Sequence, residues 1–227
     1  QFSLYDYIIH LAWDGLPNYH DNIHHKNYKI SIEFMKKLID FGIKHILIAG
    51  TCFEYGLQSG CLTEDHKTMP TNNYGIAKDK LRREIFLYSK NKKINIQWVR
   101  FFYLYGNKQS KNSLIGQLEQ KLKNNEKYFL MSNGDQLRDY LTIEEACRRI
   151  SKLIDNNQIT GVINICSNKP ITIEDLVLKY LKLKKKHLEL IKGYYRYNDY
   201  EPLHFWGSSK YFDSKGNIKK KYENIYI

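Results

Sequence analysis

Apolar residues fall along this chain in two alternating patterns: short unbroken runs, and longer stretches where they recur every three or four positions. The run DYIIHLAW (6–13) is apolar almost throughout, as a strand buried in a parallel sheet is. In the next stretch, to Asp40, Ile30, Phe34, Leu38 and Phe41 repeat at helical spacing, predicting a helix that Gly42 can close. HILIAG (45–50) reads as a second strand, the segment around NNYGIAK (72–78) as a second helix, and INIQWVRFF (94–102) as a third strand. A helix from about Asn112 to Leu122, a strand YFLM (128–131) and a helix from Thr142 follow. TIEE (142–145) offers a helix capping box, and TIED (172–175) a weaker version of it.

Alternation of this kind indicates an α/β fold, a parallel sheet with helices on both faces. Ligands in such sheets bind beyond the carboxyl ends of the strands, where Trp13, Thr51 and Tyr103 fall. After residue 105 the pattern becomes mixed. Residues 1–105 are therefore read as the sheet domain and residues 106–227 as mainly a smaller lobe, with some segments returning to the sheet.

Composition narrows this only modestly. With 42% hydrophobic and 26% charged residues the chain is an ordinary globular one, long enough for one large domain or two unequal lobes. No apolar run approaches the roughly 20 residues of a membrane span, and the opening QFSLYDYIIHLAW has no basic region of the kind that starts a signal peptide. The four cysteines are scattered without a C-x-x-C pair, which argues against a disulfide or zinc framework and for a reducing cytoplasm. A net charge of +12 invites a nucleic-acid reading. The lysines are spread along the chain, however, and cluster only in KLKKK (182–186) and KKK (219–221). No nucleic-acid or membrane partner is expected, though an anionic substrate would suit this charge.

NNYGIAK places Tyr74 and Lys78 one helical turn apart, where a lysine could ready a phenol for proton transfer. Spacing alone is weak support. With 19 tyrosines and 29 lysines, about two such pairs are expected by chance, and four occur, at Tyr74, Tyr88, Tyr180 and Tyr211. Only the surroundings of Tyr74 can distinguish it.

Several stretches supply those surroundings: D-Y-I-I-H-L-A (6–12), Asn27, G-T-C-F-E-Y-G (50–56), Y-G-I-A-K (74–78), R-F-F-Y-L-Y-G (100–106), G-D-Q-L-R-D-Y (134–140) and G-V-I-N-I-C-S (161–167). In this order and spacing they resemble the extended short-chain dehydrogenases/reductases, the NAD-dependent epimerase/dehydratase family. The tail G-Y-Y-R-Y-N-D-Y-E-P-L-H-F-W-G (193–207), with L-P-N-Y near residue 16, resembles a branch acting in surface-polysaccharide and lipopolysaccharide sugar pathways. Its aromatic rings could stack on a sugar or base, or simply close a lobe.

The resemblance implies a Rossmann-type sheet, a nucleotide-sugar substrate and hydride transfer to or from NAD or NADP. It also implies that residues 1–105 are a partial dinucleotide-binding domain and that residues 106–227 are mainly a substrate-binding lobe. By family position Tyr74 is the general acid/base, Lys78 its electrostatic partner, which also reaches the nicotinamide ribose, and Thr51 the hydroxyl that orients the sugar oxygen. Leu11, Ala12, Trp13, Asn27 and Phe102 fall where the family lines its cofactor. Tyr103 stands in place of the usual asparagine, Arg138 matches the arginine that meets the substrate's phosphates, and Asn112 is a further substrate contact. An internal pair of Arg138 with Asp139 or Glu144 is the plain alternative. A homodimer through the helices flanking the second and third strands is the family's common assembly.

Departures matter as well. Cys52 and Phe53 stand where dehydratases carry an Asp-Glu pair, which removes the acid and base of a 4,6-dehydratase. Cys52 is also one place off the cysteine of epimerase-reductases, and is read as a packed thiol. The expected function is a nucleotide-sugar 4-epimerase or 4-keto-reductase. The strand at 6–12 matches the family's fourth, and no G-x-x-G-x-x-G turn opening a helix is found; the glycines at 50–60 belong to the catalytic loop, where no helix is expected. The chain is thus expected to lack its N-terminal part, leaving an exposed apolar edge, and to be inactive by itself. A non-catalytic remnant that binds a nucleotide-sugar or partner, and a basic nucleic-acid-binding member of the fold, remain alternatives.

Overall fold

The computed structural model describes residues 7–107 and 109–222. Asp6, the first residue of the opening motif, lies outside them. The elements in chain order are β1 (Tyr7–His10), α1 (Ile23–Asp40), β2 (His45–Thr51), β3 (Gly60–Leu62), α2 (Asn73–Ser89), β4 (Asn95–Phe101) and β5 (Tyr103–Tyr105). There follow α3 (Leu114–Lys123), β6 (Tyr128–Leu130), β7 (Leu137–Thr142), α4 (Ile143–Asp155), β8 (Gly161–Ile165), β9 (Pro170–Thr172), α5 (Ile173–Lys184), β10 (Glu189–Ile191) and β11 (Phe205–Gly207).

Four strands form a parallel sheet in the order β1-β2-β4-β8. Successive side chains of a strand point to opposite faces, so Ile46 and Ile48 join Met35, Leu38, Leu81 and Trp98 under α1 and α2. Leu47 instead joins Val99, Leu153 and Ile163 on the face covered by α4. The sheet is thus apolar on both sides with helices on both, as the unbroken apolar runs required. A third cluster packs α3, β6 and α5 together, with Leu118, Phe129 and Val177 fully or almost fully buried. The two-stranded pair β6–β10 and the three-stranded set β5-β7-β9 lie outside the main sheet.

Helix α1 departs from its sequence reading in one respect. Of the residues that marked its spacing, only Leu38 is buried, while Ile30, Phe34 and Phe41 are 56%, 39% and 67% exposed. The inward face is instead Tyr28, Ile32, Met35, Leu38 and Ile39. Both sets repeat at helical spacing, and periodicity cannot tell which side meets the sheet. β1 and β8 are the two edge strands of the sheet among the described residues, and on β1 Ile9 is 41% exposed. Thr142 and Thr172 each accept one backbone N–H, from Glu145 and Asp175. The reciprocal capping box occurs elsewhere, on a four-residue 3-10 turn (Cys52–Tyr55) after β2, where no helix was expected. No helix among the described residues is long and apolar enough to cross a membrane.

Candidate active site

β2 ends at Thr51, and the 3-10 turn that follows turns the chain away from the sheet. Helix α2 begins opposite it, capped by the Asn72 side chain, which accepts the Gly75 N–H at 2.8 Å. Gly75 explains how the two come together. A Cβ there would lie 2.6 Å from the Phe53 carbonyl oxygen, so only glycine lets the first turn of α2 pack against the 3-10 turn. That approach places Tyr74 against Thr51.

Tyr74 and Thr51 are 8% and 5% exposed, and the Thr51 hydroxyl lies near enough to the Tyr74 phenol to favour its ionised form. Lys78, one turn further along α2, is 1% exposed and donates to the Ala49 carbonyl at 2.7 Å. Burial pushes the Lys78 ammonium down to about 7, with the nearby Glu54 carboxylate opposing the shift. Burial pushes the Tyr74 phenol up, and the nearby Thr51 hydroxyl only partly offsets this. The sequence argument expected Lys78 to lower the phenol. Instead, the ammonium is turned toward Ala49 and lies 3.8 Å from the Trp13 ring centroid, against 5.9 Å from that of Tyr74.

Aromatic rings enclose the phenol. His24, Tyr19, Trp13 and Phe53 lie 5.2, 5.8, 6.0 and 6.2 Å from Tyr74, centroid to centroid. Trp13 is held by its indole N–H donating to His24 Nδ1 at 3.0 Å, while His24 Nε2 meets the Asn18 carbonyl at 2.8 Å. Asn27 fixes the same loop by donating to the Asp14 carbonyl at 2.9 Å. Leu11 is 55% exposed, and Ala12 is also exposed, at the carboxyl end of β1. Phe102 is buried between Tyr55 and Phe205. Cys52 is a buried thiol pushed up by burial, which suits packing rather than acid/base work.

Beside this cluster lies a cavity of about 620 Å³, lined among others by Tyr19, Tyr103, Asn112, Arg138, Tyr195 and Tyr200. Asn112 sits exposed at its edge. Arg138 is 3% exposed and is paired, but with neither carboxylate expected from sequence: its Nη2 meets Glu201 at 2.8 Å and its Nη1 the Leu203 carbonyl at 2.8 Å. Glu201 is far off in sequence, which is why local reading chose Asp139 and Glu144. Asp139 instead accepts the backbone N–H groups of Ser167 and Asn168. The Tyr103 hydroxyl is buried without an aligned hydrogen-bond partner, close to the Arg138 and Glu201 charges.

Sequence reasoning missed Tyr19, Glu54, Tyr200 and Glu201. Tyr19 belongs to the L-P-N-Y stretch and Tyr200 to the aromatic tail, and the two rings meet at 5.8 Å. The tail therefore closes over the site at Tyr200 and Phe205, while Tyr194 and Tyr195 remain 62% and 52% exposed.

A parallel sheet covered by helices on both faces, with the cluster and the cavity at the carboxyl ends of its strands, is of the Rossmann type. The chain belongs to the NAD dependent epimerase/dehydratase family, whose model matches residues 2–166. It is 29% identical over 207 residues to the dTDP-6-deoxy-L-talose 4-dehydrogenase (NAD(+)) of Aggregatibacter actinomycetemcomitans, covering 88% of this chain and 74% of the relative. It is 25% identical over 194 residues to the GDP-6-deoxy-D-talose 4-dehydrogenase of the same organism, covering 82% and 64%. Among solved structures, a UDP-N-acetylglucosamine 4-epimerase from Methanobrevibacter ruminantium M1 superposes with a TM-score of 0.81 at 20% identity, covering 90% of this chain and 68% of that one. A UDP-glucuronic acid 4-epimerase from Bacillus cereus does so with a TM-score of 0.78 at 23% identity, covering 98% and 71%.

Proposed function

We propose that this chain carries the reaction centre of an NAD(P)-dependent nucleotide-sugar oxidoreductase, a 4-keto-reductase (4-dehydrogenase) or 4-epimerase of surface-polysaccharide sugar synthesis. The observation that carries the reading is the Tyr74–Thr51 hydroxyl pair with Lys78 one turn away, all buried at the carboxyl end of β2. Two relatives that oxidise or reduce C4 of 6-deoxytalose nucleotides favour the reductase form. Cys52 and Phe53 supply no carboxylate for water elimination, which disfavours a dehydratase.

The chain's own residues would work as follows. Tyr74 gives its proton to the sugar carbonyl oxygen in reduction, or takes the hydroxyl proton in oxidation. The phenol is neutral at pH 7 and so carries the proton to be given, while burial makes it a weaker acid, which the Thr51 hydroxyl and the Lys78 charge would have to offset. Thr51 holds the same oxygen in line, and Lys78 stabilises the phenolate that forms. The bound nicotinamide supplies or accepts the hydride. The donor set suits that group: Lys78 spends one N–H on Ala49, leaving others for ribose hydroxyls, and Leu11 and Ala12 are exposed at the carboxyl end of β1. Residues 106–227 are the main substrate wall, with the 620 Å³ cavity open to the nucleotide-sugar and Arg138 in its lining, paired with Glu201, which a diphosphate would have to displace or share.

A second reading, a chain that binds a nucleotide-sugar without turnover, draws on Trp13 lying across Lys78 at 3.8 Å. The test uses the whole protein that contains this chain, with NAD or NADP and dTDP-6-deoxy-L-talose, GDP-6-deoxy-D-talose or a UDP-sugar. Reduced nicotinamide should form with a talose nucleotide, and Tyr74→Phe should abolish this while substrate still binds. Binding with no turnover in the unaltered protein would favour the second reading.

A further inference from the structure

Glu54 lies in the 3-10 turn that joins Thr51 to Tyr55, with no solvent exposure (0%). Its Oε1 accepts the Thr51 backbone N–H at 2.9 Å and the Trp98 indole N–H at 2.8 Å. Its Oε2 accepts from Arg100 Nε at 2.8 Å, and Arg82 Nε lies 3.4 Å away, an ion-pair distance without hydrogen-bond alignment. Those partners sit on the end of β2 and on α2, which carry Thr51, Tyr74 and Lys78, and on the neighbouring strand β4. The Arg100 guanidinium also lies 4.4 Å from the Tyr55 ring centroid.

Burying a carboxylate costs several kcal/mol unless it is paired, and a well-packed apolar side chain usually serves stability as well. Glu54 is therefore a poor choice if the turn needs only to be stable. The neighbouring glycine is fitted to it. A Cβ on Gly50 would come 2.2 Å from Trp98 Nε1 and 2.7 Å from Glu54 Oε1, so the carboxylate–indole contact requires a glycine just before Thr51.

We propose that Glu54 is the positioning residue of this site, fixing Thr51 through its backbone and tying the helix that carries Tyr74 and Lys78 to the central strands. This rests on the reading of Thr51, Tyr74 and Lys78 as the reaction centre. Glu54 touches neither reacting oxygen. It acts by holding the Thr51 hydroxyl where Tyr74 meets it, since a displacement of about 1 Å in such a pair can cost about 100-fold in rate. It also places a negative charge near Lys78, whose other neighbours are the Ala49 carbonyl from β2, Tyr74 on its own helix, the Trp13 ring and, from β1, His10. His10 is pushed down to about 4 by burial and by Lys78, so it is neutral at pH 7 and leaves Glu54 as the opposing charge.

Glu54→Gln keeps the shape but turns an amide N–H toward a guanidinium. Gly50→Ala leaves every charge in place and crowds out the carboxylate–indole contact. In the whole protein, both should lower kcat about 10- to 100-fold, with KM changed less than about threefold. In the same samples, backbone hydrogen exchange at Thr51 should speed up about tenfold or more relative to Val99 on β4. For Glu54→Gln, the Lys78 midpoint, followed by NMR of methyl-labelled lysines with Lys78→Ala as the blank, should fall by about 0.5–1 pH unit. Unchanged Thr51 exchange in a folded Glu54→Gln or Gly50→Ala protein would overturn the proposal. Should the unaltered protein turn over no nucleotide-sugar while the Thr51 and Lys78 signals still respond, the proposed function fails and the positioning role stands.

Discussion

The reaction end and the cavity beside it are built in opposite ways. At the proposed reaction end, Thr51, Tyr74, Lys78 and Glu54 are between 0% and 8% exposed, and all four sit on just two elements, β2 with its turn and the first turns of α2. The cavity is open, and its wall is gathered from segments far apart in the chain, among them Tyr19, Tyr103, Arg138, Tyr195 and Glu201. The difference teaches where specificity can vary. Proton transfer needs a dry, rigid pair of hydroxyls set by short-range spacing. Substrate recognition needs only a wall, which distant segments can change without disturbing the pair.

Breaking that contrast should give effects of very different size. Tyr74→Phe deletes the proton donor and should lower kcat by about 1,000-fold or more, with nucleotide-sugar affinity kept within about threefold by calorimetry. A matching loss of affinity would mean that the two regions are not separable.

Lys78→Met comes next, and its effects should oppose each other. Activity should fall about 100-fold, while the fold gains stability on the order of a few kcal/mol at pH 7. The sign follows from the shift: between about 7 and the ordinary 10.5, the folded protein binds fewer protons than the unfolded one. Stability of the unaltered protein should therefore rise with pH across that window, with the full penalty present below about 7. Lys78→Met should flatten this rise in urea unfolding at several pH values. Activity should decline above pH 7 as the ammonium is lost.

On the cavity side, Glu201→Ala frees the Arg138 guanidinium and should change nucleotide-sugar KM about 10-fold in either direction, with kcat nearly constant. A fall in kcat as large as that of Lys78→Met would place Glu201 at the reaction end. Asn112→Ala, at the exposed edge, should change KM by less than about threefold in the same assay.

The region with the local design was legible in the sequence. The strand-end Thr51 and the Tyr74–Lys78 turn could be picked out only through the resemblance to a family, since four Tyr-x-x-x-Lys pairs share the spacing; the structure then brings the three together at the end of β2. The unbroken apolar runs likewise announced a sheet covered on both faces. What was misread involved a choice between equivalent local options. Helix α1 offers apolar residues on two sides, and Phe41 was counted while Met35, which is 0% exposed, was not. Arg138 had two carboxylates near it in sequence, yet pairs with Glu201, which is 63 residues away.

The sequence by itself therefore determined the class of fold, because backbone periodicity is a property of a few consecutive residues. Which tyrosine and lysine belong to the end of β2 followed only from several motifs in their order along the chain. Only the tertiary structure decided which side of α1 is core, which anion neutralises Arg138, and that Glu54 binds three elements together. It also decided that Lys78 is turned toward Ala49 with its charge weakened by burial. Burial and long-range pairing depend on which surfaces meet, and no window of neighbouring residues records that.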